Sequence, residues 1–151
     1  MAKKAFKMTD RGLKILEKRK KSLAGAELKV GFPADIQGHG DLSPGELALI
    51  LEFGTLDGRI PERPVFRQTF DELKAEIPQK QAYYAAMVDS GKISSKQAQQ
   101  RLGQWYAGKL RWAIIRYHDV PNAPATIKQK GFDDPWIDTG GLVNAIDYRV
   151  K

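Results

Sequence analysis

At 151 residues and 16.9 kDa, with 42% hydrophobic and 28% charged residues, the chain has the length and composition of one globular domain. It contains no cysteine, which excludes disulfides, thiolate nucleophiles, iron–sulfur clusters and most structural zinc sites. The net charge of +7 is lodged in the first 22 residues, which hold nine basic and two acidic groups against sixteen of each in the remainder.

No run approaches the ~20 apolar residues that cross a bilayer. Met1 to Lys7 lacks the apolar stretch of a secretory signal. The expectation is a soluble protein made in the cytoplasm, with no membrane partner. Thr9 and Asp10 can cap a first helix, giving a basic arm and helix over 1–24 with Leu13, Leu16 and Leu23 on one side and Ile15 beside them. Arg11, Lys14, Lys18 and Lys21 fall on another face as a basic stripe. Such a stripe suits DNA phosphates or an acidic protein surface. No aromatic residue is interleaved with it, so base stacking is not expected.

Residues 26–32 alternate and predict a strand, and Pro33 to Pro44 predicts a loop. Ser43-Pro44-Gly45-Glu46 has the pattern of a capped helix start, and Phe53-Gly54 closes that short helix. Thr55 to Arg63 reads as a loop. Pro64 can open a longer helix with Phe66, Phe70, Leu73 and Ile77 as its apolar stripe, broken at Pro78 and resumed over 79–89. Ser94 or Ser95 can cap a helix from about Lys96 to His118, with a face of Ala98, Leu102, Trp105 and Trp112. That helix is apolar nearly all round, which points to a central or shared position. Segments 64–88 and 94–118, joined by a short loop, predict a long antiparallel pair. Pro121 and Pro124 mark a loop, and Asp133 to Asp138 another. Thr139 caps a last helix from Gly140 to Ala145, and 146–150 alternates as a strand. The fold class expected is α+β: one domain over 1–151, a small antiparallel sheet including 26–32 and 146–150, and four or five helices.

Chemistry is sparse. His39 lies between glycines, and His118 ends a helix, where its charge would suit the dipole. Asp133, Asp134 and Asp138 flank Pro135-Trp136 in a loop where solvation accounts for them, and Glu52 stands alone at a helix end. There is no phosphate-binding glycine loop and no nucleophile elbow. No catalytic residue, metal or cofactor is assigned, and a hydrolase using Asp133, Asp134 or Glu52 with a histidine is the weakest reading.

Two stretches are more specific. One is Leu47-Ala-Leu-Ile-Leu-Glu-Phe-Gly-Thr55 with Ile60-Pro-Glu-Arg-Pro-Val-Phe-Arg67, and the other is Pro135-Trp-Ile-Asp-Thr-Gly-Gly-Leu-Val-Asn-Ala-Ile146. Together they resemble the head–tail joining, neck and tail-completion proteins of tailed bacteriophages, where a helix ending in Glu-Phe-Gly-Thr leads into an Ile-Pro-x-Arg-Pro-Phe segment. Lys29-Val30-Gly31-Phe32 is similar to that family's strand before a variable loop. Val65, Trp136 and Ala145 depart from its usual Phe, Leu and Ser.

The resemblance implies a structural, non-enzymatic virion protein at the head–tail junction, assembled in the host cytoplasm. It implies a ring, often a hexamer, around the DNA channel, contacting the portal or connector and tail terminator or tail-tube proteins. The residues expected to set fold and interface are Glu52, Phe53, Gly54, Thr55, Ile60, Pro61, Arg63, Pro64, Phe66, Asp138, Thr139, Gly140 and Leu142. Glu52 is expected to pair with Arg63 or Arg67, Gly54 to permit a tight backbone turn, and Asp138 or Thr139 to cap the last helix. The competing function is non-specific DNA binding through the basic N-terminus.

Overall fold

The computed structural model describes Lys14, Ile15, Glu17, Lys18, residues 27–36, Gly38 and residues 41–151. Lys14, Ile15, Glu17 and Lys18 are helical and exposed. The Thr9 or Asp10 cap, Leu13, Leu16 and Leu23, the basic residues Arg11 and Lys21, and His39 lie outside the described residues.

The fold is α+β. Strand β1 (Leu28–Gly31) pairs antiparallel with β2 (Asp147–Val150), Leu28 opposite Val150 and Gly31 opposite Asp147. Between them lie α1 (Pro44–Phe53), α2 (Val65–Leu73), α3 (Glu76–Asp89), α4 (Ser95–Arg116), α5 (Pro124–Lys130) and α6 (Gly141–Ala145). Six helices lie between the strands, more than the four or five expected, because the expected 64–88 helix is two, α2 and α3, and because α5 forms where no helix was expected. Pro124 at its first turn and Gly131 in the left-handed conformation at its end are the signals that mark it.

A two-stranded ribbon is marginal alone. This one lies against α4 at Gly103, where a Cβ would sit 2.6 Å from the Tyr148 ring and 3.0 Å from Leu28. A mid-helix glycine is tolerated there because any side chain would push the sheet away. Arg111, on the same helix, donates to the carbonyl of Ile146 just before β2.

Both serine caps form as the sequence predicts. Ser43 Oγ accepts from the Glu46 N–H at 3.3 Å, while the Ser43 N–H donates to Glu46 at 2.8 Å. Ser94 and Gln97 repeat the arrangement at 3.2 and 2.8 Å. The backbone bond from Ser43, and next its hydroxyl, hold the Glu46 carboxyl below the ordinary value of 4.5. A carboxyl whose folded pKa is depressed adds stability above its unfolded pKa and loses it as pH falls through the folded value. Glu46→Gln should therefore flatten the loss of stability on acidification below about 4.5, read by urea denaturation at a series of pH values; an unchanged pH slope would show that the box does not couple to protonation.

The long pair is present, but its first arm is split. The break falls at Lys74–Ala75, one turn before Pro78, which itself sits inside the first turn of α3. Proline's absent N–H would have bonded the carbonyl four residues back, at Lys74, so the ladder fails there and not at the proline. α3 then runs antiparallel to α4: Glu76 pairs with Lys109 at 3.3 Å, and Lys80 lies 5.9 Å from the Trp105 ring. Val88, Ile93 and Ala98 close the far end as a small satellite core.

The main core joins Ala48, Val65, Ala107, Leu110, Ile114, Tyr117, Trp136 and Ile146. Helix α4 is central, as its composition suggests, but its inward face is rotated from the expected one. Ala98, Gly103, Ala107, Leu110 and Ile114 are buried, Leu102 and Trp105 are half-buried, and Trp112 is 57% exposed. In α2 the buried line is Val65, Thr69 and Leu73; Phe70 faces out. In both helices apolar residues occupy several faces, so periodicity alone admits more than one solution.

Candidate functional site

The first motif is a continuous clamp between α1 and α2. Glu52 stands in the last turn of α1, where a carboxylate opposes its own helix dipole. It serves the next helix instead. Pro64, at the cap position of α2, offers no side-chain acceptor. Glu52 Oε2 accepts from the Phe66 N–H at 2.9 Å and Oε1 from the Arg67 N–H at 3.0 Å. The Val65 N–H reaches the Arg63 carbonyl at 2.8 Å and the Gln68 N–H the Pro64 carbonyl at 3.3 Å. All four first donors of α2 are thereby satisfied.

Of the two arginines expected as partners, Arg67 is the one Glu52 holds, at 3.2 Å. Arg67 also donates to the Glu52 carbonyl and to Glu62, both at 3.0 Å, and its guanidinium lies 4.9 Å from the centre of the Phe53 ring. Arg63 is buried and points elsewhere. It donates to the carbonyls of Val120 at 3.1 Å and Pro121 at 2.9 Å, tying the end of α4 to the start of α2. Burial lowers its pKa, while Tyr117 and Asp133 act in the opposite sense.

Gly54 has φ 71° and ψ −173°, a conformation open essentially to glycine alone. A Cβ there would lie 2.6 Å from the Ile60 carbonyl oxygen and 2.9 Å from the Glu62 nitrogen. Gly54→Ala should cost about 1–3 kcal/mol from the backbone conformation alone, measured by chemical denaturation; a change within error would mean that the turn can relax. Thr55 closes the turn on itself: its N–H donates to the Ile60 carbonyl at 2.9 Å and its hydroxyl accepts from the Ile60 N–H at 3.0 Å. The Arg63 N–H returns to the Leu51 carbonyl at 2.9 Å. Hydrogen bonds from the Thr55 hydroxyl and then the Arg59 N–H hold the Asp57 carboxyl below its ordinary range.

The second motif is a wall of the same region. Trp136 is 2% exposed although it sits in a polar loop. Phe32, Phe66 and Trp136 form an edge-to-face row with centroids 5.7 and 5.6 Å apart. Neither Asp138 nor Thr139 caps α6. Gly140 takes the cap position at φ 82° with no side-chain bond, and both polar residues stay exposed. The helix starts at Gly141, one residue later than expected, because a left-handed cap residue cannot itself be helical.

The two motifs meet across an open cleft of about 1160 Å³. Ile60, Pro61 and Arg63 line one side, and Asp138, Thr139 and Leu142 the other. Glu52, Gly54, Thr55, Pro64 and Phe66 build the frame behind it. Among the described residues Asp138 is the one carboxylate in its lining, and no cluster of three or more His, Asp or Glu forms a metal cage. His118 Nδ1 lies 3.7 Å from Asp134, but His118 is exposed, Asp134 is partly exposed, and neither belongs to the cleft.

Sequence reasoning missed the cleft and the role of Trp136. It also missed the outward apolar residues Leu49, Phe53 and Leu56 around α1, and it set Trp112 on the inward face of α4, where Trp112 and Ile115 point out. The five consecutive apolar residues Leu47 to Leu51 were a signal for the first, since such a run cannot fit one buried face. Among the described residues no helix is long and apolar enough to cross a membrane. Comparison with protein-family models, with curated proteins and with solved structures finds no match.

Proposed function

We propose that the chain is a non-enzymatic subunit of a ring in the neck of a tailed-phage virion, joining or completing the tail around the DNA channel. The observation that carries this reading is the display of large apolar side chains on two helices, α1 and α4, beyond what the core uses: Leu49 is 60%, Phe53 59% and Trp112 57% exposed. Within the described subunit Phe53 and Trp112 meet only an arginine on one side each, whereas a closed ring needs two different patches on every copy. The resemblance of both motifs to neck and tail-completion proteins gives the setting. The motif charges, Glu52, Arg63 and Arg67, are spent on backbone carbonyls, helix donors and each other, which suits a frame more than a reaction centre.

The partners in this reading are further copies of the chain, the portal or connector, and tail terminator or tail-tube proteins. Native mass spectrometry of the purified chain, alone and with candidate neck proteins, should show closed rings. A strict monomer that joins no head or tail component would sink the proposal. The basic N-terminus would then face the DNA or an acidic neighbouring ring. Lys14 and Lys18, one turn apart and both exposed, are its described members. Reversing both charges should impair head–tail joining while leaving the fold intact. Salt-dependent DNA binding without virion incorporation would instead favour the DNA-binding reading.

A further inference from the structure

α4 carries two glycines with opposite explanations. Gly103 is buried and a side chain there would strike the sheet, whereas a Cβ at Gly108 would meet nothing within 4 Å. Gly108 is exposed in the middle of a 22-residue helix, where glycine weakens the helix relative to alanine, and no described residue of the subunit asks for it. It lies on one outward face with Arg101, Gln104, Trp112 and Ile115, and the last two are 57% and 42% exposed. Arg116 stacks on Trp112 at 5.8 Å. The face carries Arg101, with Arg116 at its edge, and the helix has no acidic residue; Lys109 and Arg111 are held inside the subunit by Glu76 and the Ile146 carbonyl. A basic face with a bare backbone spot beside two apolar knobs is suited to a close-packing, acidic and apolar element.

The chain has such an element. The outer side of α1 and its turn present Leu49 and Phe53, with Leu56 as exposed as in an extended peptide. The turn that holds Leu56 out is fixed by the paired Thr55–Ile60 bonds, by the Gly58 N–H on the Thr55 carbonyl at 2.9 Å and by the Arg59 N–H on Asp57 at 3.1 Å. Helix α1 contains no basic residue, and Glu46 shares the helix face of Leu49 and Phe53, while Asp57 and Glu62 beyond it are paired with Arg59 and Arg67. We infer that this α1 patch docks on the Gly108–Trp112–Ile115 face of α4 in a second copy of the chain, with Gly108 giving the partner's backbone room to approach. The inference rests on the ring reading and names the two surfaces that would build it.

The chain's lack of cysteine makes the test direct. The full-length double variant D57C/Q104C, whose exposed positions flank the two faces and leave Phe53 and Gly108 in place, treated with a short bis-maleimide under native conditions, should give a covalent ladder extending past the dimer, while either single variant stays uncrosslinked. Gly108→Ala should raise the thermal midpoint by about 2–4 °C and still weaken self-association about tenfold. Trp112→Ser should weaken it by about 30-fold. Assembly without any crosslink would overturn the pairing and leave the ring standing. A ladder that stops at the dimer would keep the pairing and overturn the ring. A Gly108→Ala protein that is stabilised and assembles normally would remove Gly108 from the contact, and a chain monomeric at every concentration would overturn the pairing as a self-contact.

Discussion

Replacing Glu52 by alanine is expected to destabilise the chain by about 2–4 kcal/mol. The cost comes from α2, not from the ion pair. Arg67 is 48% exposed along its side chain, so its charge returns to water when the carboxylate is removed. The N–H groups of Phe66 and Arg67 have no such recourse, because both point at Glu52 beneath a proline that cannot cap them. Three variants separate the contributions. Arg67→Ala should cost no more than about 1 kcal/mol, and Glu52→Gln, which keeps one acceptor oxygen, should fall between that and alanine. Urea denaturation of the three gives the order directly. An Arg67→Ala cost equal to that of Glu52→Ala would mean that the salt bridge, not the cap, holds the clamp.

Trp136→Ala is expected to cost about 3–5 kcal/mol, the range for emptying an aromatic site in a core. Its ring closes the Phe32–Phe66–Trp136 row and packs with Leu110, Ile114 and Ile146 in the main core, so its removal opens a cavity between α2, α4 and the second motif. Trp136→Phe should recover most of that loss. The edge-to-face contact with Phe66 survives, and the indole N–H, which is buried with no acceptor among the described residues, is removed along with its desolvation penalty. Near-UV circular dichroism and urea midpoints of the two variants check this; equal losses would place the stability in the indole itself.

Where local chemistry decides the structure, the sequence was legible. Ser43 with Glu46 and Ser94 with Gln97 start helices because their own side chains close the first turn. The two strands at either end of the domain alternate cleanly and pair with each other as expected. What could not be read depends on partners far along the chain. Arg63 looked as ready as Arg67 to meet Glu52, but its acceptors are carbonyls more than fifty residues away in the loop after α4. Trp136 lies among aspartates and a proline, so nothing nearby announces that it is a core residue. Helices α2 and α4 are apolar on more faces than the core can use, and on α4 the surplus that blurred the periodicity is the surface proposed to meet a second copy. Asp138 and Thr139 carry the pattern of a cap, yet Gly140 takes over that position and leaves them at the cleft rim.

The ribbon of β1 and β2 has a kinetic consequence. Its register from Leu28–Val150 to Gly31–Asp147 closes a loop that contains every labelled helix. Closing so long a loop costs entropy before any strand bond repays it. The α1–turn–α2 clamp and the α3–α4 hairpin join near neighbours in sequence and can form early. The sheet can lock only when α4 has become a platform for Tyr148 at Gly103. A subunit still on the ribosome, with β2 not yet synthesised, would have its clamp in place and β1 waiting unpaired. Emergence of Asp147–Val150 would then act as the latch that completes the domain.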